Sequence, residues 1–460
     1  MLSSPLTTDA LLGRDSTASV FTTPGTPSPV VGAETGLRQW SVMRLPSHAT
    51  SRGPHRVLWS CWALSQSGPE PSAVGCVSIR STPDAIGDLL AGITMTLSSA
   101  AGPFTATGTL DRHTGSASRG SDYAGLSRLV KSAGLLRRRP GAYAVQFTVT
   151  LALFGATCAG VAWVGDSWYQ MSVAVALGVA FTQVAFLGHD VGHQQVFARR
   201  RANDLVGRVM GDLLVGLSYG WWVDKHNRHH AHPNTEDRDP DIGDGVLAFT
   251  TGQVMSKTGR LSRAITGHQA WLFFPLLTLE GLNLHVASVR ALLPDADRSV
   301  RGGPRRTELL LLSAHLAAYV TGLLLVMSPV KALVFAVIQQ GVFGVYMGCA
   351  FAPNHKGMPL IAADDDVDYL RRQVLTSRNV RGGILTDLLL GGLNYQIEHH
   401  LFPNMPRPSL RHAQHLVRSY CTDLHIGYTE TSLLASYVLA LRHLNQLGAP
   451  LRPRTSQGTS

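Results

Sequence analysis

The residues of this sequence that could do chemistry are histidines gathered in three short windows. The windows are residues 189–193, 226–232 and 396–400, and they hold eight of the 19 histidines of the 460-residue chain. Their sequences are His-Asp-Val-Gly-His, His-Asn-Arg-His-His-Ala-His and Gln-Ile-Glu-His-His. Neutral imidazole is the commonest side-chain ligand of metal ions. The clustering therefore indicates a metal site.

The spacing inside the windows places the imidazoles on one face of a helix. Two of the windows contain histidines three or four residues apart, and side chains at these intervals project from the same side. If the windows meet, seven imidazoles converge: His189, His193, His226, His229, His230, His399 and His400. One zinc ion takes about four ligands, so seven predict two metal ions. Imidazole ligands combined with redox chemistry favour iron.

A single His-x-x-x-His pair is a weak signal, because polar pairs at helical intervals are common on solvated helices. Three windows at fixed places relative to the apolar segments make that explanation poor. His355, which directly follows the last apolar segment, is a further candidate ligand.

Four long apolar segments must position these windows. They run from Tyr143 to Val164, from Met171 to Gly188, from Leu309 to Met327 and from Ala332 to Pro353. As helices they approach the length needed to cross the ~30 Å hydrocarbon layer of a bilayer. Short links join the members of each pair, which predicts an all-α, multi-pass membrane protein with four transmembrane helices in two hairpins. A fifth apolar segment, residues 270–289, contains Glu280, and we predict a membrane-surface or half-buried helix there.

Composition and charge agree with this topology. Only 15% of residues are Asp, Glu, Lys or Arg, against about 25% in typical soluble proteins. Arginine groups flank one end of each apolar pair, whereas the two tips hold only Asp166 and Lys331. The positive-inside rule therefore places both termini and the polar segments in the cytoplasm of a cell-membrane protein. These flanks explain the net charge of +10 without nucleic acid, for which no recognition motif is visible. The five scattered cysteines exclude a disulfide scaffold and a cysteine zinc site.

The three windows resemble the histidine boxes of the membrane fatty acid desaturases, which have the forms HxxxH, HxxHH and HxxHH or QxxHH. The resemblance covers roughly residues 120–430. The third box has Gln396 in place of its first histidine, as in the front-end and linoleoyl-CoA-type branch, whose members tend to insert a double bond between an existing one and the carboxyl end. The resemblance implies an O2-dependent oxidoreductase that introduces a cis double bond into a lipid acyl chain.

The resemblance also implies a cytoplasmic helical cap that holds two iron ions. His355 matches the position of another iron ligand of the family, and the carbonyl of Gln396 could ligate iron directly or through water. Asp190, Glu398 and the acids of residues 236–241 are candidate acceptors for the remaining imidazole N–H groups. Trp221 and Trp222 are candidates for lining the acyl tunnel, although anchoring at the membrane interface is an equal alternative.

The partners implied are O2, membrane lipid and a fatty acyl substrate attached to CoA, acyl carrier protein or phospholipid. The His-Pro-Gly-Gly motif of fused haem domains does not occur in the sequence. We therefore expect electrons from an external ferredoxin or flavoprotein reductase.

Four domains follow from composition and resemblance. Residues 1–94 carry no net charge and are rich in Ser, Thr, Pro and Gly, so we expect a disordered N-terminal extension, with Met95 as a candidate native start. Residues 95–140 form a cytoplasmic N-terminal segment, residues 141–430 the membrane desaturase domain, and residues 431–460 a C-terminal helix and tail.

Three alternatives stay open on the sequence alone. An acyl or lipid hydroxylase, ketolase or epoxidase could use the same di-iron scaffold, because desaturation and hydroxylation diverge only after the first hydrogen is removed. A zinc-dependent membrane lipid hydrolase and a non-catalytic lipid or metal carrier belong to different classes. Metal content and product analysis separate these possibilities.

Overall fold

The structure is a computed structural model that describes residues 41–44, 57–65, 73–80, 121–293 and 305–452. The chain divides into two units, residues 1–111 and 112–460. In the first unit, three strands form an antiparallel sheet in the order β1-β2-β3. They are β1 Ser41–Arg44, β2 Val57–Ser65 and β3 Ala73–Arg80.

These strands differ from the disorder expected for residues 1–94. Strands β2 and β3 are rich in apolar and β-branched residues, which favour extended structure. The other residues of the predicted extension, and the candidate start at Met95, lie outside the described residues.

The second unit is helical. Its first nine helices are α1 Asp122–Ser132, α2 Pro140–Val164, α3 Gln170–Gly192, α4 Arg200–Arg208, α5 Tyr219–Ala231, α6 Thr251–Ser256, α7 Arg260–Gly267, α8 Gln269–Leu277 and α9 Glu280–Ala291. They are followed by α10 Arg305–Val326, α11 Pro329–His355, α12 Tyr369–Leu375, α13 Ile384–Leu389, α14 Gln396–Leu401, α15 Arg407–Asp423 and α16 Leu433–Gly448. A π-helical segment, Val209–Val215, continues α4, and two short strands, β4 Asn379–Arg381 and β5 Glu430–Ser432, pair in parallel.

Helices α2, α3, α10 and α11 are long and apolar enough to cross a membrane, which confirms the four apolar spans expected from the sequence. Proline opens α2 and α11 at the first helical turn, where its missing N–H costs no hydrogen bond. Side chains of α3 and α11 are much more buried than those of α2 and α10. Helices α3 and α11 therefore form the inner part of the apolar assembly, and α2 and α10 present most of their apolar surface outward.

Close approach of the two inner helices depends on a small residue. A side-chain β-carbon at Gly178 of α3 would lie 2.9 Å from the backbone oxygen of Gln339 in α11. The rings of Phe181 and Phe343 meet edge to face on the same interface, with centroids 5.9 Å apart. This contact sets the separation of the two helices whose ends carry His189 and His355.

Residues 270–289 form two helices where the sequence predicts one. Helices α8 and α9 meet at a bend of 72°. A β-carbon at Gly344 of α11 would lie 2.4 Å from the backbone oxygen of Leu277 at this bend. The break thus fits closely against α11, a long-range contact that local apolar periodicity does not reveal.

A second apolar core lies among α1, α12, α14 and α15. It contains residues from all four helices: Leu126, Val130, Leu370, Val374, Ile397, Leu401, Leu410, Ala413 and Val417. Because Ile397 lies within the third histidine window and Leu401 directly follows it, this core fixes the helix that carries His399 and His400. Helix α16 lies within the C-terminal segment of residues 431–460.

Candidate metal centre

The three histidine windows and His355 converge at the ends of four helices. His189 lies in the last turn of α3, and His193 is its C-terminal cap. Helix α5 carries His226, His229 and His230, helix α11 ends at His355, and α14 carries Gln396, His399 and His400. All of these side chains are buried. The structure therefore brings together all the candidate ligands that the sequence singles out.

Four imidazoles form a first group: His189, His193, His226 and His399. One nitrogen from each lies within 4.8 Å of a nitrogen of every other member. The ring centroids of His193 are 4.7 Å from those of His189 and His399. The Nε2 atoms of His189, His193 and His399 are buried and have no hydrogen-bond partner among the described residues. Several unpaired buried nitrogens converging on one space fit a bound metal ion, since buried polar atoms are otherwise almost always paired.

Three imidazoles form a second group: His229, His355 and His400. Each Nδ1 atom faces an oxygen acceptor: a carboxylate oxygen of Asp239 at 2.9 Å, the backbone oxygen of Thr376 at 3.0 Å and Oε1 of Gln373 at 2.9 Å, respectively. Because these oxygens only accept, each Nδ1 carries the proton, which leaves Nε2 free to ligate.

The Nε2 atoms of the second group crowd together. Those of His355 and His400 are 3.1 Å apart. With both Nδ1 atoms protonated, two unprotonated Nε2 atoms face each other without a hydrogen between them. A metal ion shared by the two lone pairs resolves this arrangement, so the residues of the second group also fit a bound metal.

His230 lies between the two groups. Its ring stacks on that of His400, with centroids 4.2 Å apart, and its Nε2 is 3.1 Å from Nε2 of His226. Gln396 belongs to the second group's surroundings, because its Nε2 is 2.9 Å from Nε2 of His355 and its Oε1 accepts a hydrogen bond from Asn354. The structure thus places both candidates beside ligand nitrogens.

Burial keeps most of these imidazoles neutral. It lowers the pKa of His193, His226, His230, His399 and His400 well below 6.5, and the neighbouring histidines lower it further. A metal-ligating imidazole must be unprotonated on the coordinating nitrogen, so this environment favours the ligand state at neutral pH.

His229 differs from its neighbours because carboxylates surround it. Burial lowers the pKa of His229, but the carboxylates of Asp241 and Asp239 outweigh that effect and raise it. Both oxygens of Asp239 lie within 3.1 Å of Nδ1 of His229, and Lys225 forms an ion pair with Asp241. His229, Asp239 and Asp241 also come close enough to form a possible metal-binding triad of their own. Of the acids in residues 236–241, Asp239 therefore provides the imidazole acceptor.

The two other candidate acceptors lie in different surroundings. Asp190 is 3.5 Å from Nδ1 of His189 and forms a 2.6 Å ion pair with Arg407. The Glu398 side chain instead accepts hydrogen bonds from Asn379 and Tyr428. Burial raises the pKa of Glu398 to about 7, although both hydrogen bonds oppose the increase. Glu398 thus anchors α14 to β4 and contacts no imidazole among its described partners.

The two tryptophans separate in the structure. The ring of Trp222 stacks on that of His226, with centroids 4.6 Å apart and planes at 21°. A β-carbon at Gly192 would lie 2.6 Å from the same indole. Trp221 is half-buried, and its backbone N–H donates to the hydroxyl of Ser218, the N-terminal cap of α5. Of the two, only Trp222 contacts the candidate ligands in the described part of the chain.

Sequence reasoning missed the polar residues that orient the imidazoles. Gln373 accepts from His400 and donates through Nε2 to the backbone oxygen of His230, so one amide fixes residues of two windows. Asn354 donates a hydrogen bond to Oε1 of Gln396, and the backbone oxygen of Thr376 accepts one from Nδ1 of His355. Asn354 directly precedes His355 in the sequence, and this adjacency is a weak sign that it belongs to the site. The sequence around Gln373 and Thr376 gives no sign that these residues contact the imidazoles.

The fold and site define a class: a helical membrane protein with two groups of buried imidazoles suited to metal binding. Residues 166–432 match the family model described as Fatty acid desaturase.

Three relatives are similar to this chain, and each is named as a desaturase. The Acyl-lipid (9-3)-desaturase of Physcomitrium patens is 29% identical over 66% of this chain and 58% of its own length. The Delta(8)-fatty-acid desaturase of Helianthus annuus is 27% identical over 73% of this chain and 75% of its own. The Delta(8)-fatty-acid desaturase of Euglena gracilis is 33% identical over 60% and 68%.

The chain therefore belongs to the fatty acid desaturase family, whose named members are oxidoreductases. It covers less than two thirds of the moss enzyme's length, whereas it covers larger shares of the other two. The confirmed resemblance agrees with the apolar helices in making this chain a membrane protein.

Proposed function

We propose that this chain is an O2-dependent fatty acyl desaturase that introduces a cis double bond through two histidine-ligated iron ions. The observation that carries the proposal is the convergence of eight buried histidines: two adjoining groups of four and three, with His230 between them. We propose His189, His193, His226 and His399 as ligands of one iron and His229, His355 and His400 as ligands of the other. His230 lies between the two groups and is a candidate ligand of either iron. Gln396 is a further candidate ligand beside His355, and ligation requires its amide to turn so that Oε1, which now accepts from Asn354, faces the iron.

Bound iron would activate O2, the oxidant, to remove hydrogen from an unactivated methylene, which acid–base side chains cannot do. The chain's own residues hold and orient the imidazoles. Asp239, Thr376 and Gln373 accept the Nδ1 protons of the second group and aim the three Nε2 atoms at one another. Burial of every imidazole excludes bulk water from the reacting centre.

The balanced reaction consumes one O2, two electrons and two protons for each double bond formed, and it releases two water molecules. Two hydrogens leave adjacent methylenes of the acyl chain. The electrons must come from outside the proposed iron site, and we propose an external ferredoxin or flavoprotein reductase as their source.

The proposed topology has two hairpins, α2 with α3 and α10 with α11, and a cytoplasmic cap that contains the iron site. Arginines at the histidine-bearing ends of these helices support that orientation. We propose that the acyl substrate, attached to CoA, acyl carrier protein or phospholipid, enters from the membrane and that Trp222, whose ring stacks on His226, lines its path. Trp221 is a second candidate for the tunnel wall. Two of the relatives are named as Delta(8)-fatty-acid desaturases, and we propose for this chain insertion between an existing double bond and the carboxyl end.

Expression in a host with a defined lipid pool tests this proposal. Gas chromatography with mass spectrometry should detect new double bonds in the fatty acids of the host that expresses the wild-type protein, and the positions of these bonds give the regiochemistry. His229→Ala should abolish them, whereas His268→Ala, which changes an exposed histidine at the end of α7, should not. Oxygenated fatty acids without new double bonds would reject desaturation in favour of hydroxylation or ketone formation on the same scaffold.

A further inference from the structure

Helix α13 exposes apolar side chains although it lies outside the four spans. None of its six residues is buried, and Ile384 and Leu385 are 78% and 66% exposed. The first two turns of α16 are similar, because Leu434 and Val438 are 77% and 43% exposed. A group of large exposed apolar residues usually marks a contact with lipid or with another protein.

Strands β4 and β5 bring the starts of these two helices side by side. The strands pair in parallel, with Arg381 opposite Ser432. Arg381 ends β4 shortly before α13 begins, and Ser432 ends β5 directly before α16 begins. The exposed apolar residues of both helices therefore form one surface. We call the following four residues the apolar patch: Ile384, Leu385, Leu434 and Val438.

Hydrogen bonds to α11 fix the level of α13 along that span. Arg378, directly before β4, donates through Nε to the backbone oxygen of Pro353 at 2.9 Å, near the end of α11. At the end of α13, the backbone oxygen of Leu389 accepts from the hydroxyl of Tyr346 at 2.8 Å. The chain thus runs back along α11 from Pro353 to Tyr346, which is about 10 Å at 1.5 Å per residue.

Helix α16 starts at the same level. The hydroxyl of Tyr437 donates to the backbone oxygen of Cys349 in α11 at 2.7 Å. Further along α16, the backbone oxygen of Leu439 lies 3.0 Å from where a β-carbon at Gly357 would be, beyond the end of α11. The first turns of α16 are therefore the part of this helix that lies deepest beside the span.

Aromatic residues mark the opposite membrane interface. Trp168 and Tyr169, at the tip between α2 and α3, are 58% and 81% exposed. The ammonium group of Lys331, in the first turn of α11, lies 5.9 Å from the ring of Trp168. Tryptophan and tyrosine concentrate at the two interfaces of a membrane. A hydrocarbon layer of ~30 Å that starts at this level takes about 20 residues of α11 and ends near Phe351.

We propose that the apolar patch inserts among the lipid acyl chains of the leaflet on the histidine side. Tyr346 and Cys349, which fix its level, lie about 3–8 Å inside the edge of the hydrocarbon layer. Interfacial helices bury their apolar faces to a similar depth. The patch also adjoins α11, one of the four apolar spans, so the lipid that surrounds the spans reaches it.

This contact goes beyond the proposed function, because it requires no catalytic step. It gives the chain a fifth attachment to the bilayer, between α11 and the third histidine window. Helix α13 ends shortly before Gln396, where that window begins. The depth of the patch in the leaflet therefore sets the depth of the histidines on α14.

Quenching of a fluorescent amino acid measures this depth. The amino acid replaces Leu385 or Leu434, by stop-codon suppression, in the full-length chain reconstituted into phosphatidylcholine vesicles. The quenchers are iodide in water and lipids that carry a nitroxide either near the head group or near the methyl end of the acyl chain. We expect the nitroxide near the head group to quench about twice as strongly as the other nitroxide, and iodide to quench weakly.

Two control positions calibrate the measurement. Leu316, in the middle of α10, is 62% exposed, and a probe there should be quenched most strongly by the nitroxide near the methyl end. Asp365 is exposed in the segment after α11, and a probe there should be quenched by iodide but not by either lipid. Each variant should elute like the wild-type protein in gel filtration. Ile384 and Val438 are alternative probe positions for a variant that does not.

Three results would overturn the proposal. Iodide quenching at Leu385 and Leu434 as strong as at Asp365 would place the patch in water. Weak quenching by all three agents would show that protein, such as a second copy of the chain, covers the patch. Quenching with the same pattern as at Leu316 would make the patch part of a membrane-spanning segment.

Discussion

The hydrogen bond from His229 to Asp239 provides a sharp test of the second metal group. Asp239 is buried, and its carboxylate accepts from Nδ1 of His229 at 2.9 Å and from the backbone amides of Asn234 and Asp241 at 2.8 and 2.9 Å. Asp239→Asn keeps the size but replaces one acceptor oxygen with an NH2 group. Nδ1 of His229 faces both carboxylate oxygens, so either orientation of the amide turns the NH2 group toward one backbone amide and leaves His229 with a single acceptor oxygen.

The expected magnitude follows from this geometry. Loss of an acceptor that orients a ligating histidine typically weakens metal binding about 10- to 100-fold, or about 1.4 to 2.7 kcal/mol. The loss should fall on the second group, because Asp239 contacts none of the four imidazoles of the first group in the described structure. The protein should therefore bind one of its two iron equivalents more weakly and the other with unchanged affinity.

Titration of the metal-free protein with Fe²⁺ against a chelator of known affinity measures both equivalents. Asp237→Asn is the matched control, since Asp237 lies two residues away and is exposed. Unchanged affinity of both equivalents in Asp239→Asn would refute the orienting role. An equal loss in Asp237→Asn would show that general charge, not the hydrogen bond, is responsible.

Three further predictions concern stability. Gly344→Ala should destabilise the fold by about 1–3 kcal/mol, because the new methyl meets the backbone oxygen of Leu277. Gly322→Ala in α10 should be nearly neutral in thermal unfolding, because among the described residues its methyl would meet no atom within 4 Å beyond its own helix. Burial, with the nearby Glu308 carboxylate, raises the pKa of Asp212 to about 8, so its contribution to stability is lost as pH rises through 8. Asp212→Asn should therefore flatten the decrease of the melting temperature between the ordinary pKa of 3.8 and about 8, and an unchanged pH profile would contradict that pKa. Finally, removing iron with a chelator should lower the melting temperature. The free energy of unfolding should fall by about 2.7 kcal/mol if the free iron concentration was 100 times the dissociation constant. Identical melting of the iron-loaded and iron-free forms would argue against a metal bound between helices.

Much of the site could be predicted because its ligands follow local rules. The i,i+3 and i,i+4 intervals of His226, His229 and His230 place them on one face of a single helix. The four apolar helices follow from uninterrupted hydropathy, and His355 was found because it ends the last of them. These features depend on residues that are neighbours in the sequence.

The remaining features depend on contacts between distant segments. Gln373 approaches His230 across 143 positions of the chain, and nothing in its own surroundings predicts that contact. The bend between α8 and α9 similarly requires the backbone of α11 at Gly344. Glu398 was expected beside an imidazole because of its place in the third window, but its side chain turns to Asn379 and Tyr428. Local spacing does not determine such partners.

The central claim is that two groups of histidines each hold one iron ion. Elemental analysis of the purified protein by inductively coupled plasma mass spectrometry tests it most directly, with His399→Ala and His400→Ala each altering one group. The account predicts about two iron atoms per wild-type chain and about one in each variant. One zinc atom per chain, no bound metal, or two irons retained in both variants would contradict it.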